Sequence, residues 1–198
     1  MNVAARVTEA LSAHPDVQRV ELVGSRARGE ATAVSDWDFH LHTNDAAKLA
    51  RDLPDLVAPL EPLAAQWDGL TERATYMLML PGAVKIDLFP GDERRELQSP
   101  WDPSPANLTD IDAHFWDWIL WLGGKSLAGK AELVAEDLAK VHRHLLGPLG
   151  VTSAPATVRE AAEAYRGARD RLEGRWGISV PRRLGDDVAG ALHRHGIA

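Results

Sequence analysis

Apolar positions in the N-terminal half of the chain change repeatedly between helical and strand spacing. Val3, Val7 and Leu11 are at helical spacing, and the helix that they predict ends at His14-Pro15. The segments that follow are predicted as a strand over 17–23, a turn at Gly24-Ser25, a polar loop over 26–35, a strand over 36–42, a helix capped at Asn44-Asp45 that ends near Pro54, and a loop through Pro59 and Pro62.

The strand over 36–42 alternates strictly between apolar and polar side chains. Successive side chains of a strand point to opposite faces, so each set shares one face. The apolar set is Trp37, Phe39 and Leu41, and the polar set is Asp36, Asp38, His40 and His42. One face of this strand is therefore predicted to join the core, and the other is available for chemistry.

Two further strands are predicted over 75–80 and 83–89, with a tight connection at Pro81-Gly82. The second of them turns its apolar residues to one face, namely Val84, Ile86 and Leu88. Lys85 and Asp87 are therefore predicted to lie together on the opposite face.

Beyond a proline-rich stretch from Pro90 to Pro105, the pattern is helical throughout. Four helices are predicted: one from Ile111 to Leu122 that ends at Gly123-Gly124, one from 131 to 145 that ends at Gly147-Pro148, one that begins with the capping box Thr157-x-x-Glu160, and one over 186–195. The sequence thus predicts the α+β fold class, with an α+β N-terminal domain over 1–95 and an all-helical C-terminal domain over 106–198.

Composition narrows the class of protein. With 45% hydrophobic and 26% charged residues, the chain has the balance of a soluble globular protein. No apolar run approaches the ~20 residues of a membrane-spanning helix, and residues 1–9 lack the pattern of a secretory signal. The sequence therefore predicts a cytoplasmic protein that has no membrane partner.

Charge and cysteine content limit the ligands. The formal net charge of -7 disfavours binding to long nucleic acid, which needs a surplus of Lys and Arg, and suits a small cationic substrate. Because the chain has no cysteine, a bound metal must take oxygen or imidazole ligands.

Three acids are candidates for one metal centre. Asp36 and Asp38 share a strand face, and Asp87 lies on the polar face of another strand. Two magnesium ions ~3.5–4 Å apart need several carboxylates converging on one small volume. Clustered acids repel one another unless cations are bound, so the cluster indicates its cofactor. The prediction depends on the Asp87 side chain meeting the other two.

The run Gly24-Ser25-Arg26-Ala27-Arg28-Gly29-Glu30, followed by Ser35-Asp36-Trp37-Asp38, resembles the signature of the polymerase-beta superfamily of nucleotidyltransferases. It looks most like the minimal nucleotidyltransferases and the enzymes that modify aminoglycoside and lincosamide antibiotics. The resemblance implies a nucleotidyltransferase fold, a mixed β-sheet flanked by helices, followed by a C-terminal helical bundle.

The resemblance also implies roles for individual residues. Asp36, Asp38 and Asp87 are expected to bind two Mg²⁺ ions and to be catalytic, with Asp87 as general base. Gly24, Ser25, Arg28 and Lys125 are expected to bind the triphosphate of ATP or another nucleoside triphosphate. Arg26 stands beside Ser25 and is a further candidate for phosphate contacts.

The histidines and tryptophans near these segments differ in the roles that the sequence predicts for them. His40 and His42 share the acid-bearing face, yet solvated or hydrogen-bonded histidines are commoner than ligands, so neither is included in the predicted site. Trp118 is assigned to the core from its helical spacing, and Trp116 and Trp121 to a substrate wall.

The predicted function is transfer of a nucleoside monophosphate, AMP from ATP, to a hydroxyl of a small molecule such as an aminoglycoside-like antibiotic, which would confer antibiotic resistance. Two alternatives stay open at this point: an antitoxin-type enzyme that adenylylates a protein, and a nucleotide-binding module without turnover. The sequence also leaves open the acceptor, the preferred nucleotide and whether two subunits form a homodimer.

Overall fold

The computed structural model describes residues 2–98 and 101–197, and the strands among them form one five-stranded sheet. The strands are β1 Val17–Val23, β2 Trp37–Thr43, β3 Ala64–Trp67, β4 Tyr76–Leu80 and β5 Val84–Pro90. Their order is β1-β2-β5-β4-β3. The sheet is mixed, because β2 and β5 run parallel while the other neighbouring pairs are antiparallel.

Three helices accompany the sheet. They are α1 Val3–Ser12, the four-residue α2 Gly24–Ala27, and α3 Ala46–Val57, which a 3₁₀ turn at Ala58–Leu60 follows. The side chain of Asn2 caps α1 and that of Asp45 caps α3, each by accepting a backbone N–H. The apolar stripes of α1 and α3 pack on one face of the sheet, in a core that includes Val7, Leu11, Phe39, Leu41, Leu49, Leu53, Ile86 and Leu88.

The strand β3 is an element that the sequence pattern did not predict. It has four residues, Ala64–Trp67, which is too few for an alternation to stand out. Pairing with β4 stabilises it, and the Trp67 ring meets the Tyr76 ring edge-on at 5.1 Å. Its existence therefore depends on a partner strand that is distant in the sequence.

The chain divides into two compact units. The first comprises residues 1–31 and 35–98, and so contains the whole sheet; the second comprises residues 32–34 and 99–198. Described residues of the second unit form the helices α4 Leu108–Leu127, α5 Ala131–Val141, α6 Val158–Trp176 and α7 Arg183–Arg194, with a π-helical turn at His142–Leu146. Within this unit α4 contacts each of the other three helices.

The third of these helices, α6, begins at the predicted capping box. The Thr157 hydroxyl accepts the backbone N–H of Glu160 at 3.1 Å, as expected. The Glu160 carboxylate accepts the N–H of Ala156 at 2.8 Å, one residue before the one expected of a capping box. Both ends of the motif therefore satisfy donors at the start of the helix.

Two predictions for α4 are wrong. The helix does not end at Gly123-Gly124 but continues to Leu127. A Cβ at Gly123 would lie 2.2 Å from Cδ2 of Leu192, so this glycine lets α7 approach closely and does not terminate the helix. The Trp116 side chain is fully buried and cannot form a substrate wall.

The Trp116 ring instead belongs to the interior of the helical unit. It lies edge-on to Tyr165 at 5.7 Å, and its indole N–H donates to Asp112 at 3.2 Å. Tyr165 donates its hydroxyl to the same carboxylate at 2.7 Å. Burial raises the pKa of Asp112, against the opposing effects of Tyr165 and Arg169. The aromatic residues around α4 are thus held by one buried polar group.

In the described part of the chain, every helix is too short or too polar to cross a membrane.

Candidate metal and nucleotide site

Three carboxylates from two neighbouring strands converge on the polar face of the sheet. Asp38 of β2 and Asp87 of β5 are directly opposite each other in the parallel pairing, and Asp36 immediately precedes β2. Each of the three offers an oxygen, and these oxygens lie within 4.8 Å of one another. Asp36 is only 8% exposed and Asp87 9%, while Asp38 is half-buried, so two of the three acids are largely withdrawn from water. The convergence on which the sequence prediction depends is present.

The backbone at Gly24 lies against this cluster. Gly24 follows β1, has φ of +71°, and approaches Asp38 so closely that a Cβ there would lie 2.0 Å from Oδ2. Both the conformation and the space exclude a larger residue. Eleven residues lie between Gly24 and Asp36 in the sequence. The glycine-serine turn and the D-x-D segment nevertheless meet in the fold.

Lys85 is the cation nearest to Asp87. Its Nζ donates to Asp87 Oδ1 at 2.6 Å, and the Lys85 side chain is 6% exposed. The two residues share the polar face of β5, as the alternation predicted. Lys85, together with the Arg26 guanidinium that acts electrostatically on Asp36 and Asp38, offsets two of the three carboxylate charges, so a surplus of negative charge remains.

Arg26 holds the segment that carries Asp36. Its guanidinium donates to the backbone carbonyl oxygens of Ser35 (2.5 and 3.1 Å) and Asp36 (2.9 Å), and it lies 4.1 Å above the Trp37 ring. Burial lowers the pKa of Arg26, and the Asp36 and Asp38 carboxylates oppose that effect. The structure thus uses Arg26 to position the acids, whereas the sequence suggested a phosphate contact.

The other predicted nucleotide ligands have different surroundings. Ser25 is half-buried in α2, directly after Gly24. Arg28 is exposed and pairs with Glu30 at 2.8 Å. Lys125 belongs to the second unit, in the last turn of α4, with its Nζ 4.6 Å from the centre of the Trp121 ring. The nucleotide-binding roles of all three stay predictions.

The donor set matches a hard divalent cation. Carboxylate oxygens are the ligands that Mg²⁺ prefers, and the three acids present them from one side. Without a cation, their mutual repulsion is offset in part by Lys85. Asp36, Asp38 and Asp87 are therefore the residues that would hold magnesium in this unit.

Comparisons with known proteins add little to this description. No protein-family model and no curated protein matches the sequence. A solved structure that resembles the chain is titled "Structure and function of the polymerase core of TRAMP, a RNA surveillance complex", with a TM-score of 0.41 and 13% identity over 95% of this chain and 53% of that one. The chain thus spans about half the length of that relative. With a likeness of this degree, function has to be inferred from the site residues themselves.

Proposed function

We propose that this protein is a magnesium-dependent nucleotidyltransferase that transfers a nucleoside monophosphate, AMP from ATP, to a hydroxyl group of a small molecule. The observation that carries the proposal is the meeting of Asp36, Asp38 and Asp87 beside Gly24. A pair of acids on one strand is common on protein surfaces. A third acid from a parallel neighbour, next to a glycine that has no room for a Cβ, points to a built site.

The acids and the turn have separate tasks in this proposal. Asp36, Asp38 and Asp87 hold two magnesium ions, which when bound neutralise the charge of the triphosphate and of the departing pyrophosphate. The turn at Gly24-Ser25 offers backbone N–H groups and a hydroxyl to the triphosphate. Arg26 keeps the Asp36 backbone in place through its carbonyl contacts.

The reaction forms one bond and breaks another. The acceptor hydroxyl oxygen bonds to the α-phosphorus, and the bond from that phosphorus to the oxygen bridging to the β-phosphate breaks, which releases pyrophosphate. The hydroxyl proton passes to the Asp87 carboxylate, the general base. Lys85 donates a hydrogen bond to Asp87 and so orients the carboxylate.

The acceptor class follows from charge. A net charge of -7 attracts cationic molecules and repels polyanions. An aminoglycoside-like acceptor is cationic because of its several amines, and it offers several hydroxyl groups as acceptors. Long nucleic acid offers hydroxyl groups but carries a dense negative charge, and its binding depends on neutralisation of phosphates by a basic surface.

The test is a screen of aminoglycosides and lincosamides with ATP and Mg²⁺, read by pyrophosphate release and by the mass of the product. We expect an added nucleoside monophosphate on an acceptor hydroxyl, and a loss of about a hundredfold or more in the Asp87→Asn variant. Asp55→Asn, a matched change of an exposed acid on α3, should retain the wild-type rate.

Two results would contradict the proposal. The first is the absence of Mg²⁺-dependent ATP binding by calorimetry, which would remove the first step. The second is binding of ATP without transfer to any compound in the screen, combined with labelling of a protein in a lysate incubated with labelled ATP. That second outcome would favour a protein acceptor.

A further inference from the structure

A second cluster of potential metal ligands lies on the polar face of the sheet, beyond the acids. Glu21 of β1 is directly opposite His40 in the antiparallel pairing, and His42 follows two residues later on β2. The ligand atoms of the three side chains lie within 4.8 Å of one another. The two imidazole rings are 4.5 Å apart between centres.

We propose that Glu21, His40 and His42 form a binding site for a divalent transition metal of the Zn²⁺ class, separate from the acidic cluster. Two imidazoles with one carboxylate are a donor set that suits zinc and its neighbours, whereas Mg²⁺ prefers oxygen ligands alone. Three protein ligands leave a coordination position for water or another donor. The two clusters would therefore select different metals.

The three donor side chains need to move only slightly to bind a metal ion. In a tetrahedral site with metal–ligand distances of about 2.0–2.2 Å, neighbouring donor atoms are about 3.4 Å apart. His42 Nε2 and Glu21 Oε2 are already 2.7 Å apart, and the three donor atoms lie within 4.8 Å of one another. Side-chain rotation supplies such a change, because His42 is 31% exposed and Glu21 39% exposed.

The contacts of His42 without a metal are chemically inconsistent. Its Nε2 lies 2.7 Å from Glu21 Oε2, an acceptor, and 2.7 Å from Arg19 Nη2, a donor. One imidazole nitrogen either carries a proton or offers a lone pair, so it cannot satisfy both neighbours. A metal ion in place of the Arg19 guanidinium would accept the lone pair of His42 and the charge of Glu21 together. Arg19 also donates to Glu21 Oε2 at 2.7 Å, and because its side chain is 60% exposed it can exchange that contact for water when a metal ion binds Glu21.

Asp92 supplies a fourth donor from the loop after β5. Its carboxylate is 3.5 Å from His40 Nε2 and 88% exposed, so it is able to turn toward a bound ion. Arg73 lies 4.0 Å from the same carboxylate and competes with a metal ion for it, so Asp92 is the weakest of the four donors. The essential ligands are accordingly the two histidines and Glu21.

The proposed zinc site is separate from the acidic cluster but close to it. Asp38 and His40 are two residues apart on β2, which corresponds to about 7 Å along a strand. A metal held by the histidines would therefore lie on the same face as the acidic cluster, one pleat further along.

The experiment is a Zn²⁺ titration of the metal-stripped, full-length protein in the presence of excess Mg²⁺, which keeps the acidic cluster occupied, with a chromophoric chelator as competitor. We expect one equivalent of Zn²⁺ to bind, and binding at least tenfold weaker in the double variant His40→Gln, His42→Gln. Co²⁺ should give the intense visible absorption of a tetrahedral site, and lose it in the same variant. His195→Gln, on the exposed end of the second unit, is the matched control and should bind as the wild type does.

The Arg19→Ala variant tests the geometry itself. Removal of the competing guanidinium should strengthen Zn²⁺ binding several-fold, whereas a purely structural Arg19 would leave it unchanged or weaken it. Far-UV circular dichroism and the melting temperature show whether each variant is folded. The proposal is overturned if the folded wild-type protein binds no Zn²⁺ under these conditions, if the double histidine variant binds it as tightly, or if Arg19→Ala does not bind it more tightly. None of these readouts depends on nucleotide transfer.

Discussion

At the scale of single residues, Gly24 brings the backbone of the turn directly against the Asp38 carboxylate. We predict that Gly24→Ala lowers Mg²⁺ affinity and nucleotide transfer at least tenfold, because the new Cβ would occupy the position of the Asp38 carboxylate, 2.0 Å from Oδ2. Calorimetric titration with Mg²⁺ and the pyrophosphate assay measure the two effects.

Gly29→Ala separates this clash from backbone strain. Gly29 has φ of +73°, close to the +71° of Gly24, and a Cβ there would meet nothing within 4 Å. Both alanine variants therefore bear a similar conformational cost, about 1–2 kcal/mol, and only Gly24→Ala displaces a carboxylate. Equal losses in the two variants would show that strain, and not contact with Asp38, is responsible.

Arg26 makes a second residue-scale prediction. Arg26→Lys should weaken Mg²⁺ binding several-fold while the protein stays folded, because a lysine cannot reproduce the forked contacts with the Ser35 and Asp36 carbonyls. Calorimetry on the variant, beside Arg51→Lys on the exposed part of α3, measures the change. Unaltered affinity would mean that the Asp36 backbone needs no such support.

The sequence predicts some of these residues better than others. The acids are recognisable because D-x-D on a strand has a fixed consequence, two side chains on one face. The role of Arg26 could not be foreseen, since its partners are backbone carbonyls, and any residue type provides those. The His42 contacts were missed for a related reason: they depend on which residue of β1 faces β2.

At the scale of helices and strands, Gly123 sets the approach of α7 to α4. Gly123→Ala should destabilise the protein by about 1–3 kcal/mol through overpacking, because its Cβ would be 2.2 Å from the buried Leu192. Gly174→Ala in α6 is the matched helical change, and its Cβ would meet nothing within 4 Å. That variant should be stabilised by about 0.5–1 kcal/mol. Urea denaturation measures both free energies, and a destabilised Gly174→Ala would refute the packing explanation.

Glu173 links α6 to the segment before α7, and its hydrogen bonds lead us to predict that the stability of the fold depends on pH. Its carboxylate accepts the N–H of Val180 at 2.6 Å and two N–H groups of Arg182 at 2.5 and 2.8 Å. The Arg182 hydrogen bond, together with that of Val180, lowers the pKa of Glu173 below its ordinary value of 4.5, although burial opposes this. The ionised form therefore stabilises the fold fully above about pH 4.5, and the contribution is lost as the pH falls through the lowered pKa.

The Glu173→Gln variant checks this sign. At neutral pH it should be less stable than the wild type by about 1.5–3 kcal/mol, the range for hydrogen bonds to charged groups, and the difference should shrink below pH 4.5. Thermal melts between pH 3 and 7 provide the measurement. A difference that is constant over that range would rule out ionisation as the cause.

Element prediction succeeded where the signal was local. Strand β1 follows from a valine-rich segment and the start of α6 from a capping box, although β1, which was expected to be a buried strand, has no fully buried residue. Failures occurred where a neighbour decides the outcome. Gly123 looks like a helix end in the sequence but is a contact with α7, and β3 exists because β4 lies beside it.

At the scale of the whole molecule, metal binding should be visible as stability. Asp36 and Asp87 are buried and Asp38 is half-buried, and Lys85 and Arg26 offset only part of the charge of the three acids. Mg²⁺ at a hundredfold excess over its dissociation constant should stabilise the fold by about 2.7 kcal/mol. We expect the melting temperature to rise with Mg²⁺ in the wild type and to stay constant in the Asp36→Asn, Asp38→Asn variant. An equal rise in melting temperature in the wild type and the variant would mean that Mg²⁺ stabilises the protein at a different site.

Topology at this scale was beyond sequence reasoning. Four of the five strands were predicted one by one, but nothing local indicates that β5 inserts between β2 and β4 and runs parallel to β2. That order brings Asp87 beside Asp38. Long-range pairing is decided by the burial of whole faces, which a window of sequence does not contain.

The parallel alignment of β2 and β5 also governs which changes in chain length the site tolerates. An insertion in a loop between Thr43 and Val84, outside α3, β3 and β4, can be absorbed without a change in the pairing of β2 with β5, and Asp38 and Asp87 remain opposite each other. One extra residue between Lys85 and Asp87 would turn the carboxylate into the apolar interior, and two would restore its face but move it about 7 Å along the strand. The geometry of the acids is thus insensitive to the lengths of the loops that separate β2 from β5. It depends on the number of residues within the two strands, because an odd change moves an acid to the opposite face of the sheet.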